Sequence, residues 1–77
     1  MDNRIDFICQ HTMDGGIIPL KIRLRDEDNE LQEYMVKGYR DTSEHSMKSF
    51  EIKIVVFDSM RVFRIYRGSD DIWRIQL

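Results

Sequence analysis

A chain of 77 residues, 42% hydrophobic and 34% charged with a formal net charge of -2, reads as one domain with a small core, too apolar for disorder and too charged for a membrane protein. No run approaches membrane-spanning length, and the single cysteine, Cys9, excludes an internal disulfide framework and any multi-cysteine zinc site. Residues 1–46 hold six basic and ten acidic side chains and residues 47–77 six basic and four acidic, a bias well short of that of a dedicated nucleic-acid binder.

The first ten residues, MDNRIDFICQ, carry an early acid and no long apolar stretch ending in small residues, so the expectation is no secretory signal and a cytoplasmic location. A strand is predicted over residues 4–13, with Ile5, Phe7, Cys9 and Met13 on one face and Asp6, Gln10 and Thr12 on the other. Asp14-Gly15-Gly16 tolerates positive φ and turns the chain back. Pro19 lacks an N–H and so suits an edge or a bulge. Leu20, Ile22 and Leu24 then alternate with Lys21, Arg23 and Arg25, which predicts the leucines and isoleucine inward and the cations outward.

Residues 26–30, DEDNE, avoid strands and form a solvated loop. Their alternating oxygens look like the start of a calcium loop, but Leu31 stands where that loop needs glycine and Lys37 where its twelfth-position glutamate would close it. A third strand is predicted over 31–39, with a bend or bulge at Gly38. Residues 40–48 show no strand pattern, and Asp41 followed by Glu44 suits the cap of a short helical turn. Strands over 49–57 and 60–67 flank the turn Asp58-Ser59, and Gly68-Ser69-Asp70-Asp71 precedes a last strand over 72–77. In that last hairpin, pairing Ile65 with Trp73 and Phe63 with Ile75 makes one face wholly apolar.

The fold expected is therefore all-β: a six-stranded antiparallel meander curled into a small, partly open barrel, SH3-like or similar, with one short helical turn near 41–48. The segment DGGIIPLKIR, residues 14–23, resembles a family of small uncharacterised Firmicutes proteins that place a DG turn and PLKIR at the start of a strand. The resemblance extends loosely to a tyrosine-bearing strand, a central hairpin and a final strand with tryptophan, matched here by Tyr34 or Tyr39, the strands around Asp58-Ser59, and Trp73. It implies a compact β-barrel-like fold and no activity. Leu24 stands where the family often has a tryptophan, and the acidic turn here is longer.

No nucleophile elbow, phosphate-cradling glycine loop or zinc-ligand constellation is present, so no catalytic residue, metal ligand or cofactor is assigned. Cys9 and His11 share a strand face, the spacing of a nucleophile–base or metal pair, but His45 is the only further histidine and a cysteine on an apolar face ordinarily serves as a small hydrophobe. Lys53, Arg64, Tyr66 and Arg74 fall on the outer face of the C-terminal meander, the cation-and-aromatic pattern of a single-strand nucleic-acid face and also that of an ordinary wet sheet surface. Ile8, Val55, Val62 and Ile72 fall on the nominally wet faces, while Trp73 packs inside with Phe50, Phe63 and Ile65. These features give a non-enzymatic protein-interaction domain as the first reading, homodimeric through a strand edge or apolar patch. A single-stranded nucleic-acid accessory module is the alternative, and no membrane role is expected.

Overall fold

The computed structural model describes residues 3–76. Seven strands follow one another: β1 (Asp6–His11), β2 (Ile17–Arg25), β3 (Leu31–Met35), β4 (Gly38–Asp41), β5 (Ser49–Val56), β6 (Ser59–Arg67) and β7 (Trp73–Gln76). They form two antiparallel sheets, β1-β2-β3 and β4-β5-β6-β7. Alternation sets their inner faces. Ile22 from the first sheet meets Phe50, Ile52, Ile54, Ile65 and Ile75 from the second, and these buried side chains share one core with Ile5.

The sheets are sewn together at two corners. Residues 3–5 leave the first sheet and run beside β7, where Ile5 N–H donates to the Trp73 carbonyl at 3.0 Å and Ile75 N–H to the Asn3 carbonyl at 2.9 Å. At the other corner the predicted third strand divides into two. Val36 N–H donates to Leu20 across β2, and the next N–H, of Lys37, donates to Lys53 across β5. Consecutive N–H groups on a strand point to opposite edges, so β2 and β5 lie on opposite sides of this bent segment. The inward positions change from even (Tyr34, paired with Ile22) to odd (Tyr39, paired with Ile52) in the same stretch, next to the bend expected at Gly38. Pairing does not continue from β3 to β5 beyond the corner, so the sheets do not close into a barrel.

Three further expectations are corrected. No helical turn occupies 41–48: the Asp41 carboxylate accepts the Ser43 N–H at 2.8 Å, and Glu44 and Met47 exchange backbone hydrogen bonds around a tight reversal at His45-Ser46. A capping side chain serves a turn equally well when no apolar period gives a helix something to bury. Leu20 is not inward. It is the extra residue of a bulge in β2, because Ile8 pairs with Lys21 while Cys9 pairs with Pro19. The bulge lets Ile17 and Pro19 before it, and Ile22 and Leu24 after it, all face the core side. In the last hairpin Ile65 pairs with Ile75 and Arg67 with Trp73, two residues away from the expected register, and Arg64 stands opposite Gln76. Trp73 still packs on the apolar side, its ring 4.5 Å from that of Phe7 and 6.1 Å from that of Phe50.

Candidate functional site

Past the Lys37–Lys53 corner, β3 and β5 leave an open side between the sheets. The pairings that fix β2 to β3 use the even residues of β3, as the Val36 and Asp26 backbone bonds show, so Leu31, Glu33 and Met35 direct their N–H and C=O groups to the open edge. On the opposite lip, β4 pairs with β5 only from Phe50 to Lys53. The Thr42–Ser49 bond sets the odd residues of β5 toward that side, which leaves Val55 with an unpaired edge. No strand among the described residues pairs with either lip.

At the Leu31 end of this open side, the β2–β3 turn, the N-terminal segment, β7 and the tip of the β5–β6 hairpin surround a cavity of about 1050 Å³ whose walls include Leu24, Leu31, Tyr34, Phe57, Ile5 and Ile75. Phe57 is the most telling of these. It forms the two-residue tip of the β5–β6 hairpin with Asp58, at φ 50° and 63° respectively, and is 95% exposed. Such a type I′ turn favours Asn-Gly; a bulky aromatic in the left-handed region carries strain that the turn itself does not require. Leu31, also on the lip, is 51% exposed.

The rim of this cleft is acidic. Asp6, Asp26, Glu27 and Asp28 line it with Arg4 and Arg25. Asp26 is spent on its own turn: its carboxylate accepts the N–H groups of Asp28 and Glu30 and the Gln32 side chain, led by the Glu30 bond, which together hold its pKa below the ordinary value. The loop read against a calcium template is thus a self-bonded hairpin turn with Asn29 at φ 62°. Asp6, Glu27 and Asp28 form no ion pair among the described residues.

The four residues singled out on the meander do share one face. Lys53 stands opposite Val62, Arg64 opposite Glu51, and Tyr66 between Ser49 and Arg74. Their chemistry is already engaged in part: Arg74 makes a two-pronged contact with Asp70 at 2.9 and 3.2 Å, Tyr66 Oη accepts from Asn3 at 3.4 Å, and Arg64 donates to Ser49 Oγ at 3.4 Å. Glu51 pairs with Arg40 at 3.0 Å. Val55, Met60 and Val62 lie exposed on the same face, whereas Ile8 belongs to the other sheet and Ile72 lines the cleft, so the four wet-face apolar residues are not one cluster.

Cys9 Sγ and His11 Nε2 stand 3.8 Å apart near the end of β1, partly exposed. Among the described residues no group of three or more His, Cys, Asp or Glu side chains converges on a metal-sized site, and no helix is long and apolar enough to cross a membrane. Sequence reasoning found the cationic face but not the cleft, because the cleft arises from where pairing stops. Its one local signal was Phe57 standing where a turn residue belongs. No family model matches the chain, and no curated protein or solved structure matches it.

Proposed function

We propose that this chain is a protein-interaction domain whose partner docks in the cleft between β3 and β5. The observation that carries the reading is Phe57, an aromatic side chain held in solvent at positive φ on the lip of an apolar-walled cavity. A strained, exposed aromatic is costly to the free protein and profitable to a complex, since rigid aromatic anchors dominate interface energies. The test is a photoreactive amino acid placed in source cells at Leu31, at Phe57 and, as a control on the far edge strand of the first sheet, at Gln10. Crosslinks to one partner from the two lip positions alone support the reading; equal labelling from Gln10, or none from the lips, rejects it.

A second reading has its own observation: Lys53, Arg64, Tyr66 and Arg74 stand together on the outer face of β5, β6 and β7. A single strand of nucleic acid tracking that face pairs phosphates with the cations and stacks a base beside Tyr66. Titration with a single-stranded oligonucleotide at low salt decides it, with affinity expected to fall when Lys53 and Arg64 become Ala.

A further inference from the structure

We infer that the cleft takes an extended peptide, added as a strand to the open edge of β3 and antiparallel to it, with apolar side chains on alternate positions and cations at its C-terminal end. The inference rests on the cleft reading and names its occupant.

The backbone sets the mode of binding. Leu31 and Glu33 offer donors and acceptors along an unpaired edge, which is what a guest strand pairs with, whereas Met35 lies close to β5 beside the Lys37–Lys53 bond. β3 is the longer of the two lips, since only the end of β5 beyond Lys53 is open, so it supplies most of the ladder. Antiparallel addition maximises straight inter-strand bonds. On the inward side of β3 the neighbours of a guest side chain are Gln32 and Tyr34, so every second guest residue enters the cavity toward Tyr34 and Leu24, where apolar groups leave water.

The charge sets the direction of the sequence. Glu27 and Asp28, without an ion pair among the described residues, occupy the turn before Leu31, at the N-terminal end of β3, with Asp6 across the mouth; Arg4 and Arg25 line the same mouth, and Arg25 donates to the Asn29 carbonyl at 3.0 Å. An antiparallel guest ends there, and its C-terminal residues meet that rim. Lysine or arginine at those positions complements it, while acidic residues are repelled. Glu33 does not share in this selection, because Arg23 at 2.8 Å and Lys21 at 3.2 Å already hold it.

The probe is the peptide acetyl-Thr-Val-Thr-Val-Thr-Val-Lys-Lys-amide, read by fluorescence anisotropy and by backbone amide exchange of the protein. Two versions carry N-methyl groups on one or the other alternate set of amides. Binding is expected to slow exchange at Leu31 and Glu33, to fall about tenfold or more with one methylated set and little with the other, and to fall similarly when Glu27 and Asp28 both become Lys. Equal binding of both methylated peptides, unchanged exchange at these two β3 amides, or no binding at all overturns strand addition. Binding that ignores methylation but is lost in Phe57→Ser overturns strand addition while leaving the cleft as the docking site. Slowed exchange at the same amides without peptide, growing with protein concentration, assigns the edge to a second copy and likewise overturns it.

Discussion

Phe7 and Trp73 meet at 4.5 Å between ring centroids with their planes tilted by 51°, joining the first sheet to the last strand of the second across the corner where residues 3–5 cross over. The contact is the side-chain counterpart of the Ile5–Trp73 backbone bond, and Arg67 lies over the other reach of the indole at 6.0 Å. Phe7→Ala removes the ring from this junction. Because Phe7 is half-buried, the expected loss is at the lower end of that for core aromatics, about 3 kcal/mol, read by urea unfolding monitored through Trp73 emission. An unfolding midpoint equal to that of the wild type rules out the corner as a source of stability.

Ser49 is a polar residue fully buried at the start of β5, on the side of the sheet away from the apolar core. Its Oγ lies 2.7 Å from Thr42 Oγ1, and its N–H and C=O are both met by the Ser43 hydroxyl. Ser49→Ala strands the Thr42 hydroxyl and takes the acceptor from Arg64, with an expected destabilisation of about 1–2 kcal/mol. Thr42→Val with Ser49→Ala removes both partners, and the double variant is expected to recover part of that loss.

Two carboxylates tie stability to acid. Asp41 is held at about 2, chiefly by hydrogen bonding from Ser43 and then by Lys48, and Asp70 at about 2, chiefly by Arg74 and then by the Ile72 N–H. Both values lie below the ordinary 3.8, so the folded state favours the ionised form. Their contribution is complete above that ordinary value and is lost as pH falls through it toward 2. Thermal midpoints are therefore expected to hold from neutrality down to about pH 5 and to drop in the window below. Asp70→Asn and Asp41→Asn are each expected to lower stability at neutral pH and to shallow the acid decline. An unaltered slope in both variants removes these two groups as its cause.

The all-β class and most inward faces were legible because period-2 alternation is a local property of β5, β6 and β7. The failures share a cause of their own. A register slip of one residue exposes the whole apolar face, but a slip of two preserves it, so Ile65 opposite Trp73 and Ile65 opposite Ile75 are equally good by pattern. The loop decides between them: Gly68 N–H bonds the Ile72 carbonyl, and the Asp70 carboxylate takes both the Ile72 N–H and Arg74, which lengthens the connection and moves Trp73 opposite Arg67. Leu20 was misplaced by a bulge that hydrophobic alternation cannot show, although Pro19 marked it. The cleft was invisible for a further reason: nothing in the composition of residues 31–39 says that their ladder changes partner at Val36 and Lys37.

The last prediction sets stability against binding at one residue. Phe57 and Asp58 occupy the two left-handed positions of the β5–β6 turn, where asparagine and glycine are at ease and phenylalanine is not. With its ring 95% exposed, Phe57 returns almost no burial energy to the isolated domain. Phe57→Asn is therefore expected to raise stability by about 1 kcal/mol through relief of the backbone alone. The same change deletes an aromatic wall from the cleft, so binding of the alternating valine peptide is expected to weaken even as the fold tightens. Denaturation and anisotropy on the one variant measure both effects. If stability rises and binding is untouched, Phe57 is a turn residue of no consequence to the partner; if both fall together, its ring supports the fold and the strain argument is wrong.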